Sequence, residues 1–162
     1  MSTPPLTPLA AAVLRVGVPE RILDVECGDG DAALFLAREF PRARVRGIDR
    51  SQQAIRRATA RVGLDPEGRV AFKVGRPRAL PFPDDHFDLV VLVDAVPSAV
   101  ETARVLRPGG HLILVQTSSP SPSPGPAGRL LRWRLARHRI ELLDSAAVGD
   151  GSFSVGLLAG GD

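Results

Sequence analysis

The residues with most chemical promise lie in one short stretch, Asp24-Val25-Glu26-Cys27-Gly28-Asp29-Gly30, between an apolar run and a run of helix formers. Glycines in such a turn let the backbone approach a ligand, and the helix start beyond it offers unpaired N–H groups to an anion. Asp49 lies 19 residues after Gly30, at the end of the next apolar run. A carboxylate there can hold both hydroxyls of a ribose. Gly28-x-Gly30-x-x-Ala33 also satisfies the relaxed dinucleotide pattern, so more than one nucleotide-type ligand is open on spacing alone.

Other groups are sparser. Asp94 follows a long apolar run, which makes it the candidate general base or substrate contact; capping of the next helix is the alternative. His86, His111 and His138 show no ligand spacing, and a lone Cys27 gives no multi-cysteine set, so no metal site is expected. Cys27 has no His near it in sequence to activate it as a nucleophile. Arg129 to Arg139 holds five Arg and one Trp in eleven residues. At helical spacing Leu131, Leu135 and Ala136 face inward while Arg129, Arg132 and Arg137 face water; recognition of an acidic substrate is the sharper alternative.

These groups need elements to position them. Leu9 to Val16 reads as a helix stopped by Gly17 and Pro19, after a loose tail over residues 1–8. Arg21–Val25, Ala43–Ile48, Arg69–Val74, Phe87–Val93 and His111–Gln116 read as strands. Between them lie helices capped by Asp31 and Ser51, a helix from Ser98 to Leu106, and a proline-broken loop from Gly75 to Asp85. Thr117 to Gly128 is a Pro/Ser-rich connector; the basic helix, a strand near Arg139 to Leu143 and an apolar run from Phe153 to Ala159 follow. The alternation predicts an α/β fold, a parallel sheet covered by helices on both faces, with ligands at the carboxyl ends of the strands.

With 162 residues the chain fits one domain that buries roughly 70% of its extended surface. Tyr and Asn are absent and 20 of the 21 basic residues are Arg, which removes phenol acids and Asn oxyanion donors. The pI of about 10.3 accompanies a net charge of only +3. Few groups titrate near neutrality and Arg keeps its charge above pH 12, so the pI is no sign of nucleic-acid binding. A single Cys points to a reducing compartment, and Leu9 to Val18, interrupted by Arg15, is too short to span a bilayer. A cytoplasmic protein without membrane attachment is expected.

Four segments together resemble the class I S-adenosylmethionine (SAM)-dependent methyltransferases, in the manner of small, single-domain, methyltransferase-11-like members. Ile22-Leu-Asp-Val-Glu-Cys-Gly-Asp-Gly30 is similar to the first motif and Gly47-Ile-Asp-Arg-Ser51 to the second. Leu80-Pro-Phe-Pro-Asp-Asp-His-Phe-Asp-Leu-Val90 resembles the passage into the fourth strand, and Arg104-Val-Leu-Arg-Pro-Gly-Gly110 the turn into the fifth. The last two are the more specific, and a dinucleotide enzyme has no need of them. The resemblance implies a Rossmann-like, doubly wound, mostly parallel seven-stranded sheet in a compact domain over residues 9–162. It implies SAM as cofactor, S-adenosyl-L-homocysteine as product and a small-molecule acceptor. Asp24 would lie near the SAM amino group, Gly28 and Gly30 along the methionine and ribose, Asp49 on the ribose hydroxyls, and Arg50 beside the adenine.

Three features depart from the family pattern. Glu26 stands where the family has Gly; its carboxylate either crowds and repels the methionine or pairs with the SAM ammonium. Gly75-Arg76-Pro77 replaces Gly-Asp-Ala, so Arg76 offers no acceptor to the adenine amino group, though it can stack or bind a phosphate. The segment from Asp94 to Glu101, which in the family builds part of the cofactor and substrate wall, is short. With no long N-terminal lid or added substrate domain expected, the pocket should be open or completed by a second copy or a protein partner. A methyltransferase fold without methyl transfer, serving as a binding module, is the alternative function.

Overall fold

The computed structural model describes residues 5–121 and 125–160. Its elements are α1 (Thr7–Ala12), a 3₁₀ turn (Val13–Arg15), β1 (Arg21–Val25), α2 (Asp31–Glu39), β2 (Arg44–Asp49), α3 (Gln52–Ala60) and β3 (Val70–Val74). They continue with β4 (Phe87–Val93), α4 (Ala99–Val105), β5 (Leu106–Gln116), α5 (Gly125–Arg137), β6 (Ile140–Val148) and β7 (Gly151–Leu158). One seven-stranded sheet results, in the order β3-β2-β1-β4-β5-β7-β6. β1 to β5 are parallel, and β7 runs antiparallel between β5 and β6. This is the seven-stranded, mostly parallel sheet that the resemblance implies.

The near-continuous apolar strands follow from burial on both faces. Alternate residues divide between two cores. Ile22, Val45, Leu89, Val91 and Ile113 meet Leu9 of α1 and Leu36 of α2 on one side. Leu23, Val25, Ile48, Val90, Leu92 and Leu112 meet Val105 of α4 and Leu135 of α5 on the other. Each fully buried Leu or Ile contributes about 1.5–3 kcal/mol. The sheet needs few aromatics; only Phe87 and Phe153 are among its largest fully buried side chains.

Several boundaries differ from the sequence reading. The first helix begins at Thr7, inside the segment read as a loose tail, of which residues 1–4 lie outside the described residues. Gly30, at φ 91°, occupies the N-cap of α2 without a side-chain cap, so Asp31 is a first-turn residue. Its carboxylate accepts from Arg61 instead, at 2.6 Å. Ser51 and Ser98 do cap, accepting the N–H groups of Ala54 and Glu101. α5 absorbs Gly125 to Gly128 from the expected connector, whose residues 122–124 are not among those described. On α5, Gly128 and Leu135 are buried and Leu131 is half-buried, while Ala136 is exposed, which corrects its expected inward placement. β5 starts at Leu106 because Leu106 pairs with Phe87; a register shift before Leu89 accommodates the Arg-Pro-Gly-Gly turn.

Candidate functional site

β1 lies between β2 and β4, so the direction of winding reverses at the β1/β4 boundary. In open α/β sheets such a switch point opens a crevice at the carboxyl ends of the strands. Here it is a cleft of about 1320 Å³, lined by Glu26 after β1, Arg50 after β2, the 76–79 loop, the 94–100 segment and one side of α5.

The turn after β1 is built from backbone bonds and one carboxylate. Cys27 N–H donates to Ile48 O at 2.8 Å, and Gly30 N–H to Cys27 O at 3.0 Å. Asp49 Oδ2 accepts Gly28 N–H at 2.9 Å, and its Oδ1 accepts Ser51 N–H at 2.9 Å. The two glycines serve different ends. Gly28 has φ 54° and a Cβ there would meet nothing within 4 Å, so its freedom leaves open space above the turn. Gly30 has φ 91°, and a Cβ would lie 3.1 Å from both Ala58 Cβ and Phe72 Cζ. Packing of α3 and β3 thus requires a glycine at position 30 in its own right, beside the place along the ligand that the resemblance implies for it.

Glu26 occupies the left-handed region at φ 60°, where a glycine is free of strain. Its Oε1 accepts from Arg50 Nε at 2.9 Å, across the front of the turn. Asp24 lies beneath, 1% exposed, and among the described residues neither carboxyl oxygen has a hydrogen-bond partner. Burial pushes its pKa up to about 8; the Ala33 N–H opposes the rise without closing a hydrogen bond, and the charge of Asp49 adds to it. A buried acceptor without a donor in the chain suits a donor from outside, and the cofactor amino group is one. With Asp49 at the end of β2 and open space over Gly28, the chemistry of Asp24, Gly28 and Asp49 suits SAM, but none of the three is part of the cleft lining itself.

Cys27 is a packing residue: it is 7% exposed, and its Sγ lies 3.1 Å from where a Gly47 Cβ would stand. Burial, followed by the charges of Asp24 and Asp49, pushes its thiol far above the ordinary range, which suppresses nucleophilic chemistry. Asp94 stands exposed at the end of β4 in the left-handed region, φ 54°. Its Oδ1 accepts Thr117 N–H at 2.8 Å and its Oδ2 accepts the Thr117 hydroxyl at 2.5 Å. Arg76 enters the cleft from a loop closed by an Arg76–Ala79 bridge. Sequence reasoning missed Arg78 and placed Arg137 in open water, yet both line the cleft with Trp133 and Arg134. Only the helical phase of α5 against α4 brings Trp133, Arg134 and Arg137 there, while Arg78 arrives on the bridged 76–79 loop.

A doubly wound sheet with this switch-point cleft and braced glycine turn defines a nucleotide-cofactor-binding α/β protein of the class I methyltransferase type. The family described as "Methyltransferase domain" matches residues 22–110, more than half of the chain, and the chain belongs to it. The cofactor that goes with this family is SAM. The chain is 35% identical over 120 residues to the ubiquinone/menaquinone biosynthesis C-methyltransferase UbiE of Geobacter sulfurreducens, covering 68% of this chain and 47% of that one. It is 34% identical over 121 residues to the 27-O-demethylrifamycin SV methyltransferase of Amycolatopsis mediterranei, covering 70% and 44%. The chain thus spans a little under half the length of these curated relatives. Among solved structures, a SAM-dependent methyltransferase from Aquifex aeolicus matches the fold with a TM-score of 0.76 at 17% identity, covering 98% of this chain and 95% of that one. Among the described residues, no helix is long and apolar enough to cross a membrane.

Proposed function

We propose that this chain transfers a methyl group from SAM to a small-molecule acceptor in the switch-point cleft, acting in the cytoplasm. The unpartnered Asp24 carboxyl beneath the glycine turn is the observation that carries this reading. Asp24 would meet the cofactor amino group, Asp49 the ribose hydroxyls and Arg50 the adenine side, and Gly28 would admit the ligand above the turn. The cofactor supplies a methyl group already activated on a sulfonium, so the protein's task is chiefly to align the acceptor. Asp94 serves as the general base: Glu26 is the other carboxylate lining the cleft, and it is held by Arg50. Thr117 orients Asp94 with two hydrogen bonds, one to each carboxylate oxygen, and Asp94 lines the cleft. A second copy or a protein partner would complete the open rim.

Titration calorimetry with SAM and S-adenosylhomocysteine tests the reading, followed by methyl-transfer assays on acceptors. Heat from both ligands is expected; silence with both overturns it. The Glu26–Arg50 pair across the turn favours a second reading, a methyltransferase fold that binds without transferring methyl groups. Under that reading SAM binds only when Glu26 is replaced by Gly.

A further inference from the structure

The cleft is unusual in its charge. Five arginines line it, Arg50, Arg76, Arg78, Arg134 and Arg137, against two carboxylates, Glu26 and Asp94. Glu26 is engaged by Arg50 and Asp94 by Thr117. Among the described residues, Arg76, Arg78, Arg134 and Arg137 form no ion pair, whereas Arg15, Arg50, Arg57, Arg61, Arg104 and Arg107 each do. The four free guanidiniums come from two opposed elements, the bridged 76–79 loop and α5. On α5, Arg134 and Arg137 are helical neighbours, an arrangement that repels itself until an anion arrives. Guanidiniums converging in a concavity concentrate anions and grip carboxylate or phosphate in a fork.

Apolar surface is interleaved with this charge. Val96 is 74% exposed, Val100 56% and Trp133 55%, all on the cleft wall. The Arg137 guanidinium sits 4.9 Å from the centre of the Trp133 ring, so cationic and apolar surfaces meet at one point. A small hydrated anion leaves the apolar wall uncovered, and a neutral apolar molecule leaves the guanidiniums uncompensated.

We propose that Arg76, Arg78, Arg134, Arg137 and Trp133 form a subsite for an amphipathic anion, an apolar skeleton bearing a carboxylate or phosphate. This names the acceptor class for the methyl-transfer reading and rests on that reading for the acceptor's fate, while binding itself is independent of it.

Trp133 is the single Trp and the chain has no Tyr, so tryptophan emission reports from this wall alone. The emission is followed while octanoate, octyl phosphate, octanamide or inorganic phosphate is added to the full chain. Saturable changes are expected with octanoate or octyl phosphate, about tenfold tighter than with octanamide, as expected of a charge-assisted hydrogen bond. The tighter of the two acids identifies the headgroup. R134Q/R137Q and, on the opposite wall, R76Q/R78Q lose this preference, while R132Q, on the same helix but off the cleft, keeps it. Equal affinity for acid and amide overturns the proposal, as does full-strength binding by both double variants. Inorganic phosphate binding as tightly as octyl phosphate overturns its apolar half. A chain that binds octanoate but gives no heat with SAM keeps this subsite and loses methyl transfer; the reverse pattern keeps methyl transfer and loses the subsite.

Discussion

Arg50 Nε donates to Glu26 Oε1 at 2.9 Å, closing an ion pair across the front of the turn that would receive the cofactor's methionine end. The pair is held by a residue in a left-handed conformation, φ 60°, which costs a side chain about 1–2 kcal/mol and a glycine nothing comparable. Arg50 is 66% exposed, so the pair returns only about 0–1 kcal/mol. Glu26→Gly is therefore expected to keep or slightly raise the melting temperature and to tighten SAM binding about tenfold, since one repulsive carboxylate is gone. Glu26→Gln keeps the strain and loses the pair, so it should melt lower while gaining affinity. Weaker SAM binding by Glu26→Gly in calorimetry would show instead that Glu26 pairs with the SAM ammonium.

The two glycines of the turn should fail in different ways. Gly30→Ala drives a Cβ to 3.1 Å from Ala58 and Phe72 at a positive φ, an overpacking that costs about 1–3 kcal/mol. For a chain of this size the melting temperature falls on the order of 5 °C. Gly28→Ala meets no described protein atom within 4 Å and incurs only the left-handed conformational penalty, about 1–2 kcal/mol. Its loss should fall on SAM affinity instead. Thermal melts and calorimetry on both variants check the separation, and a Gly28→Ala that binds SAM normally removes Gly28 from the site.

Much of this architecture was legible because it is local. Phe87–Val93 and Arg21–Val25 match the sequence reading residue for residue, since strands buried on both faces are apolar almost throughout. The far end of the sheet was less so. β6 runs to Val148 past Asp144 and Ser145, with every second residue exposed, and what extends it is pairing with β7 rather than its own composition. The α5 start looked like linker because Gly125-Pro-Ala-Gly128 reads as a breaker, yet proline in a helix's first turn sacrifices no hydrogen bond. In the candidate site, the glycine turn and Asp49 stand out by spacing, whereas Asp24 is singled out only by the family resemblance. Arg76 and Arg134 lie far apart in the chain and line one cleft only through the packing of α5 beside α4.

Asp94 and Thr117 divide a second role. If Asp94 accepts the acceptor's proton, Asp94→Asn lowers kcat by about 10²-fold or more, within the range of general-base catalysis. Asn tolerates the φ of 54° found here, so folding should survive. Thr117→Val removes one of the two orienting hydrogen bonds and keeps the Thr117 N–H, so its kcat should fall far less. Single-turnover methyl transfer with both variants checks the order; an unimpaired Asp94→Asn reduces Asp94 to a tether for the chain after β5.

The last prediction concerns protons. Asp24 is held at about 8, above the ordinary carboxylate value near 4, by burial. A carboxyl with a raised folded value keeps a proton that the unfolded chain has already lost, so folded stability falls as pH climbs from about 4 to about 8. Above that the loss is complete. Asp24→Asn removes the titration, and its melting temperature should exceed the parent's by a margin that widens between about pH 5 and about pH 8. A cofactor ammonium beside Asp24 would favour the carboxylate and expel the proton, so SAM binding near neutral pH should release about one proton. Calorimetry in two buffers of different ionisation enthalpy counts it. The parent should release it and Asp24→Asn should not; equal counts in the two proteins would move the cofactor's amino group away from Asp24.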